Sequence, residues 1–255
     1  MNDLRFLALS NAQIKRIKSL HRKEGRVEEG MFLVEGLKPV AELIASGWAI
    51  GQLLVTERMW LMFQEYALPV LDKVQIIPDA QMERISSHIT APGVLAVADV
   101  LFQPLVIPEG PVLIVDDIQD PGNLGTMIRT AEWFGFSQVF VTPGCVEMFN
   151  PKVVASSMGS LFRLKPQVMD STSIVRELVD RQGYQLVVST LDGNTAKLNW
   201  PTKTALVIGS ESHGVSPFWI EKAHLLVKIP SYGQAESLNA AIAFGILAAQ
   251  FRSLA

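Results

Sequence analysis

Two short apolar runs near the end of the chain, each followed by a loop rich in glycine, serine and proline, constrain the fold most strongly. The runs are Leu206–Ile208 and Leu225–Ile229, and the second loop leads into a segment of small apolar residues that extends to Gln250. This order predicts strand, loop, strand, loop and helix. In open α/β sheets ligands bind beyond the carboxyl ends of the strands, so we expect a site built from the polar residues of both loops. They are Ser210, Glu211, Ser231, Ser237 and Asn239.

Alternation of strand and helix segments over the whole chain indicates an α/β protein with two domains. Residues 1–105 have the pattern of a small α/β sandwich. Three prolines and a glycine fall within residues 101–111, and we place the domain boundary there. Residues 106–255 open with Val112–Ile118, which suits a central strand of a parallel sheet because it is apolar on both faces.

The spacing of apolar residues, together with glycine and proline, predicts the individual elements. Ile14, Ile17 and Leu20 form a helical stripe in the first domain. The strands that follow there are predicted at residues 31–36, 52–57, 74–79 and 94–100, and the helices at 37–47 and 80–88. In the second domain we predict strands at 112–118, 138–143, 204–209 and 225–231, a strand that runs into a glycine loop at 184–193, and helices at 124–136, 151–162, 173–183, 216–223 and 236–254.

The charge distribution is uneven. The net charge of −3 argues weakly against a nucleic-acid partner, but residues 11–30 hold six basic side chains and three acidic ones. These cations form either an ordinary solvated helix face or a phosphate-binding surface. For the second interpretation the candidate residues are Lys15, Arg16, Arg22 and Lys23.

The sequence favours a cytoplasmic protein without a membrane anchor. The first twenty residues lack the apolar centre of a secretory signal, and the most apolar run, Ala240–Phe251, is too short to span a bilayer. A single cysteine, Cys145, cannot form an intramolecular disulfide, which fits a reducing compartment. We interpret Cys145 as a buried small apolar side chain rather than a nucleophile.

Several common sites are not indicated. No G-x-G-x-x-G follows the first strand and no G-x-x-x-x-G-K-[ST] is present, so neither a dinucleotide fingerprint nor a P-loop is predicted. Asp116, Asp117 and Asp120 fit either a Mg²⁺ site or the turn chemistry of the following Pro121–Asn123, and we favour the turn. The four histidines lack paired metal-ligand spacing, so we predict no metal.

Three segments, in order, resemble the three motifs of the SpoU, or TrmH, family of RNA ribose 2′-O-methyltransferases. Gln119–Gly135 reads QDPGNLGTMIRTAEWFG, Leu206–Ser216 reads LVIGSESHGVS, and Ile229–Gly245 reads IPSYGQAESLNAAIAFG. The N-terminal region, from NAQIKRIKSLHRKEG to TAPGVLAVADV, resembles the L30e-like substrate-binding domain of the same family. The resemblance therefore covers nearly the whole chain.

The resemblance implies an N-terminal L30e-like domain that binds RNA and a C-terminal methyltransferase domain with a deep trefoil knot, which is an exception to the rule that chains do not thread loops. It also implies a homodimer formed through the knotted domain. S-adenosylmethionine (SAM) is the implied cofactor, bound largely by backbone groups. The implied contact residues are Thr190, Leu191, Gly193, Gly209, Ile229 and Leu238, with Thr190–Gly193 expected as a turn.

Arg129 matches the family arginine implicated in activating the ribose 2′-hydroxyl. Two roles remain open: a base, although arginine normally stays protonated in proteins, or a guanidinium that grips the adjacent phosphate and polarises the hydroxyl. Asn123 matches a motif position and also fits a helix cap.

Glu211, Ser237 and Asn239 match family positions that orient Arg129, the ribose or the knot loops. The chain departs from the family where Ser212 replaces a glycine and Ala240 replaces a valine. Ser212 is expected to restrict its loop, whereas Ala240 is a mild change. Neither departure removes a proposed catalytic group.

The sequence therefore predicts SAM-dependent methyl transfer to a ribose 2′-hydroxyl of RNA, with rRNA favoured over tRNA. The alternative is a catalytically inactive RNA-binding or ribosome-assembly protein on the same fold. Neither the RNA nor the nucleotide is specified by the sequence.

Overall fold

The computed structural model of the chain describes residues 5–100, 107–194 and 200–254. It divides into two compact units, the first comprising Met1–Phe102 with Phe149–Arg163 and the second Gln103–Met148 with Leu164–Ala255. Residues 101–106, the first part of the predicted boundary region, lie outside the described residues. Phe149–Arg163, which belongs to the predicted second domain, groups with the first unit because the Phe149 ring packs 4.6 Å from that of Phe32.

The first unit is built on a mixed five-stranded sheet in the order β1-β4-β3-β5-β2. Strands β1, β4 and β3 are parallel, whereas β5 is antiparallel to both β3 and β2. The strands are β1 Arg5–Phe6, β2 Met31–Glu35, β3 Ile50–Thr56, β4 Val74–Ile77 and β5 Val94–Asp99. The helices are α1 Asn11–Ser19, α2 Lys23–Glu29, α3 Leu37–Ala45, α4 Glu57–Ala67 and α5 Asp79–Ile85, with a 3₁₀ segment at Leu68–Lys73.

Helices α1 and α2 form a fixed corner. Ile14, Ile17 and Leu20 are buried, as the helical stripe predicts. Ser10 caps α1 and the carboxamide of Gln13 returns the bond, which is the reciprocal arrangement of a capping box. At the other end Arg26 is buried and its Nη1 donates to the Leu20 carbonyl at 2.9 Å. These bonds tie both ends of the basic segment to the corner.

The second unit is a six-stranded sheet in the order β11-β9-β10-β6-β7-β8, with every pair parallel. The predicted α/β fold with a parallel sheet is confirmed. The strands are β6 Val112–Val115, β7 Gln138–Val141, β8 Gln167–Val168, β9 Gln185–Asn194, β10 Thr204–Ile208 and β11 Leu225–Val227. The remaining helices are α6 Pro121–Trp133, α7 Pro151–Ser157, α8 Ser160–Leu164, α9 Ser171–Val175, α10 Pro217–Lys222 and α11 Ala240–Leu254, with a π-helical segment at Arg176–Arg181.

Several predicted boundaries were wrong. The predicted helix at 151–162 divides into α7 and α8 because Met158 and Gly159 adopt left-handed backbone conformations. Helix α4 was not predicted. Within the described residues, no helix is long and apolar enough to cross a membrane.

Candidate active site

The carboxyl ends of β6 and β10 lie side by side and carry two of the three motif segments. Buried Asp116, just after β6, accepts a 2.8 Å hydrogen bond from the Ser216 amide and so joins the two loops. Asp120 caps α6 by accepting a bond of 2.8 Å from the Asn123 amide, and Pro121 occupies the first turn. These two carboxylates thus hold loops and a helix end, as the turn interpretation expects. The alternative that Asn123 caps the helix is not found, because Asp120 caps it.

Asn123, Glu211 and Asn239 meet in one hydrogen-bond network, which we call the Asn-Glu-Asn cluster. Glu211 Oε1 accepts bonds from Asn123 Nδ2, from Asn239 Nδ2 at 3.4 Å and from the Ala240 amide at 3.1 Å. Asn239 Nδ2 also donates to Asn123 Oδ1 at 2.9 Å. Asn239 Oδ1 in turn accepts from the amides of Ala241 and Ile242, which caps α11. One residue from each motif therefore contributes to the cluster.

The cluster leaves one polar atom for a ligand. Among the described residues, Glu211 Oε2 accepts no hydrogen bond, while Oε1 accepts three. A carboxylate oxygen of this kind can accept a bond from a hydroxyl group or pair with a guanidinium. The three side chains are exposed enough for a substrate to reach them.

Arg129 lies on the exposed face of α6 with Thr126 and Trp133, at helical spacing. It is six residues from Asn123, about 9 Å further along the helix axis. Within the described residues its guanidinium forms no hydrogen bond or ion pair. The expected orientation of Arg129 by Glu211, Ser237 or Asn239 is therefore not found, and Glu211 and Asn239 contact Asn123 instead.

Residues 231–239 run without helix or strand and are exposed, and they include Ser237 and Leu238. Ser237 makes no hydrogen bond to other described residues, and Tyr232 is almost fully exposed, at 96%. The prediction that a helix begins at 236 was wrong, because the Asn239 cap starts α11 at Ala240. The side chains of this segment are therefore exposed to solvent and are not packed in the core.

Thr190, Leu191 and Gly193 were expected in a turn but belong to β9, which continues to Asn194. Gly193 lies so close to β11 that an added Cβ would be 2.5 Å from the carbonyl carbon of Val227. A glycine is required there because no side chain fits between the strands. The exposed side chain of Leu191 remains accessible at the strand end.

Gly209 was expected to admit a ligand, but its own loop fills the space. A Cβ at Gly209 would lie 2.2 Å from the carbonyl carbon of Gly214, because Ser210 and Gly214 pair through reciprocal backbone hydrogen bonds. Gly209, Ile229 and the end of β9 nevertheless lie at the carboxyl ends of three neighbouring strands, β10, β11 and β9. Partly buried Ile229 and partly exposed Leu238 complete the predicted cofactor residues.

Ser212 fits its loop without strain. The non-glycine residues with positive φ, within the described part of the chain, are Asp117, Met158 and Lys165, so Ser212 is not among them. Gly214, with φ of 69°, supplies the left-handed residue of the turn instead. The Ser212 hydroxyl lies 2.9 Å from Nδ1 of His213. Ser212 therefore introduces no backbone strain into this loop, contrary to the expected restriction.

A second polar group at the end of β6 was missed by sequence reasoning. Asp117 has φ of 55°, and Gln119 bridges its carboxylate and the Gly144 carbonyl at 2.8 and 2.5 Å. Nearby, Cys145 Sγ accepts from the Ile118 amide at 3.2 Å and donates to the Val115 carbonyl at 3.4 Å. Burial raises the pKa of the Cys145 thiol above its ordinary value. Only the tertiary structure reveals this group, because its members come from separate loops.

In the first unit, the four candidate phosphate-binding residues are all exposed on the α1–α2 corner. Arg16 is engaged, because its Nε donates to Glu29 Oε2 at 2.7 Å and its Nη2 contacts Met31 Sδ. Lys15, Arg22 and Lys23 form no ion pair within the described residues. These three cations are therefore the ones available to an anionic partner.

Comparison with known families gives two matches that together span most of the chain. Residues 110–249 match the SpoU rRNA Methylase family, and residues 11–96 match the MRM3-like substrate binding domain. A 23S rRNA (guanosine(2553)-2'-O)-methyltransferase of Bacillus subtilis is 32% identical, over 95% of this chain and 96% of the relative.

Solved structures agree with these matches. A protein of the TrmH family of RNA methyltransferases from Porphyromonas gingivalis has a TM-score of 0.86 and 35% identity, covering 98% of this chain and all of that one. An AdoMet-bound rRNA methyltransferase from Sinorhizobium meliloti has a TM-score of 0.87 and 26% identity, with 98% of each chain covered.

Proposed function

The chain belongs to the SpoU rRNA methylase family, and on that premise we propose that it transfers a methyl group from SAM to a ribose 2′-hydroxyl of rRNA. The observation that carries this proposal is the Asn-Glu-Asn cluster, which draws one residue from each of the three motifs to the carboxyl edge of the parallel sheet. Ligands bind at that edge in α/β proteins. The relatives that modify 23S rRNA favour rRNA over tRNA as the substrate.

The residues at the strand ends fit SAM. Its adenine needs apolar contacts and its polar groups need backbone partners. Leu191 and Ile229 supply apolar side chains at the ends of β9 and β11, and Leu238 supplies one from the exposed segment before α11. SAM supplies the electrophilic methyl group on a cationic sulfonium. The residues of this chain have to bring the hydroxyl into line with that group and hold the hydroxyl proton.

Arg129 and Glu211 divide this work. Arginine stays protonated, so Arg129 acts as a cation and not as a base. Its guanidinium contacts the phosphate next to the target ribose and polarises the hydroxyl. Glu211 accepts the hydrogen bond of the hydroxyl through Oε2, while Oε1 keeps Asn123 and Asn239 in place. Ser237, in the exposed segment before α11, contacts the ribose.

A homodimer through the second unit completes the proposal. Exposed apolar side chains lie on α6, on α11 and on the segment between β11 and α11: Trp133 at 85%, Tyr232 at 96% and Ile242 at 56% exposure. Helices α6 and α11, which carry Trp133 and Ile242, pack on each other. A second copy of this chain would bury them, and the family resemblance implies the same pairing.

The trefoil knot, the domain division and the location are part of the same proposal. Strand β10 lies between β9 and β6, and the C-terminal helix α11 packs on α6, which comes earlier in the chain. Both features support threading of the C-terminal segment. Residues 1–105 serve as the RNA-binding domain and residues 106–255 as the catalytic domain, in line with the two family matches. An rRNA substrate favours the cytoplasm.

The test is transfer of labelled methyl from SAM to rRNA isolated from cells that lack this gene, followed by mapping of the methylated nucleotide. Arg129→Ala is expected to lower transfer at least a hundredfold while SAM binding by calorimetry is retained, because Arg129 contacts RNA. Arg176→Ala, which removes another exposed arginine of the second unit, is the matched control and should keep wild-type transfer.

The outcomes separate the alternatives. Unchanged transfer in Arg129→Ala would rule out the role given to Arg129. Wild-type protein that binds rRNA but neither binds SAM nor transfers methyl would favour the second candidate, a non-catalytic RNA-binding protein.

A further inference from the structure

The loop after β10 forms a turn with three exposed residues at its tip. Ser210 and Gly214 close the turn through reciprocal backbone hydrogen bonds, 3.1 Å from the Ser210 amide and 2.9 Å from the Gly214 amide. The tip between them, which we call the ESH turn, consists of Glu211, Ser212 and His213. Glu211 belongs to the Asn-Glu-Asn cluster, so the ESH turn carries part of the candidate active site.

The backbone of the ESH turn is tied down at both sides. Buried Ser210 accepts a hydrogen bond from the His213 amide at its Oγ, at 3.3 Å. Gly214 has the positive φ that closes the turn, and Val215 directly after it is buried. A side chain on such a turn loses less conformational entropy on binding a ligand than one on a free loop.

The imidazole of His213 uses one ring nitrogen within the turn and leaves the other for a ligand. The Ser212 hydroxyl lies 2.9 Å from Nδ1. Within the described residues, Nε2 forms no hydrogen bond. A neutral imidazole carries one N–H, and the partner of one nitrogen decides which nitrogen has it. A hydroxyl that donates to Nδ1 therefore leaves the hydrogen on Nε2, which becomes a donor.

Glu211 and His213 are two residues apart, so their Cα atoms lie within about 7 Å of each other. We propose that His213 Nε2 donates a hydrogen bond to an acceptor atom of the RNA nucleotide whose ribose hydroxyl binds Glu211. Ser212 is then a positioning residue, whose hydroxyl keeps the hydrogen on Nε2. This inference rests on the proposed methyl transfer to RNA. Both the base edges and the phosphates of RNA carry suitable acceptors.

A serine beside a histidine is also the pair that performs covalent catalysis in other enzymes. In those sites a third group orients the histidine, so that it can take the proton of the serine. Among the described residues, no third side chain contacts the His213 ring. Ser212 and His213 are also neighbours in the chain and both are exposed. The geometry therefore favours substrate recognition by Nε2 over attack by Ser212.

The experiment measures methyl transfer from SAM at varied concentrations of rRNA from cells that lack this gene. His213→Ala should raise the KM for RNA about fivefold, the effect of one lost hydrogen bond, with kcat and the calorimetric SAM affinity unchanged. His213→Gln should restore the KM because its amide N–H reaches the position of Nε2. His213→Asn should not, because its amide reaches only the position of Nδ1.

Thr172→Ala is the matched control. Thr172 is an exposed uncharged residue of α9, and its variant should keep the wild-type KM and kcat.

A double-mutant cycle tests the role of Ser212. Ser212→Ala should raise the KM for RNA about twofold, and Ser212→Thr, which keeps the hydroxyl, should not. In the background of His213→Ala, Ser212→Ala should have no further effect, because the hydroxyl acts through the ring. Additive effects would mean that Ser212 acts independently of His213.

A change of base at the mapped target nucleotide distinguishes the two acceptors. The effect of His213→Ala disappears on the changed RNA when Nε2 binds the base, and it persists when Nε2 binds a phosphate. Either result supports the contact.

Two results would overturn the inference: a wild-type KM in His213→Ala, or a KM in His213→Gln as high as in His213→Ala. Filter binding of the same variants to the same rRNA measures the contact without methyl transfer, and His213→Ala should bind about fivefold more weakly. Absence of methyl transfer by wild-type protein would contradict the proposed function, whereas unchanged RNA affinity in His213→Ala would reject the contact alone.

Discussion

Glu211 joins three segments through a single oxygen atom. Substitution can separate this structural role from the role of the carboxylate charge in the reaction. Glu211→Gln keeps a carbonyl oxygen that accepts the bonds of Asn123 and Ala240 but lacks the charge. We expect the unfolding free energy of this variant to lie within about 0.5 kcal/mol of the wild-type value, and its methyl transfer to be at least tenfold slower. Glu211→Ala should in addition lose about 1–2 kcal/mol of unfolding free energy.

Urea denaturation and methyl transfer measure the two effects. Full activity in Glu211→Gln would mean that the carboxylate charge plays no part in the reaction.

Cys145 gives a pH-dependent prediction at the same scale. Burial raises the pKa of its thiol, and only the thiolate reacts with iodoacetamide. At pH 8 a smaller fraction of Cys145 than of free cysteine is thiolate, so alkylation should be slower, and its rate should still rise at a pH where free cysteine has levelled off. The measurement is mass spectrometry of timed samples, with protein in guanidinium chloride as the control. Equal rates in folded and unfolded protein would contradict the prediction.

The sequence predicted which residues belong to the site, but it did not predict which of them would be hydrogen-bonded to each other. Asn123, Glu211 and Asn239 stand in recognisable motifs, yet their pairing joins positions 88 and 116 residues apart, which no local pattern encodes. The same limit explains Gly209 and Gly193. Both positions require glycine because another part of the backbone lies where a Cβ would be.

At the scale of elements, the start of α6 depends on Asp120. Replacing it by alanine removes the acceptor of the Asn123 amide and should cost about 1 kcal/mol of unfolding free energy, whereas Asp120→Asn should keep most of the stability. Asp180→Ala is a suitable control, since Asp180 is exposed and makes no hydrogen bond or ion pair within the described residues. Urea denaturation measures all three. A loss in Asp180→Ala as large as in Asp120→Ala would show that capping is not the cause.

Strand and helix types were largely predictable, and their ends were not. The apolar runs at β6, β7, β9 and β10 reveal buried parallel strands because both faces are apolar. The continuation of β9 through Thr190–Gly193 escaped prediction because a glycine after polar residues normally signals a turn. Here Gly193 instead allows β11 to approach β9 closely, a contact between residues about thirty positions apart.

At the scale of the whole molecule, the proposed dimer predicts a change of mass on substitution. Trp133→Glu should produce a monomer, because a carboxylate buried at an apolar interface without a partner is strongly unfavourable. Leu61→Glu, on the exposed face of α4 in the first unit, should leave the dimer intact. Sedimentation velocity distinguishes the two species. A wild-type protein that sediments as a monomer would reject the dimer.

The central position of β10 also has a consequence for biosynthesis. Strands β6 to β9 emerge from the ribosome before β10, so β9 and β6 lack the strand that joins them until about four-fifths of the chain has been made. During that interval their apolar edges are open to wrong pairing and aggregation. We therefore expect nascent chains to depend on rapid completion or on a chaperone, and chains that end before residue 204 to lack the strand that pairs with both β9 and β6.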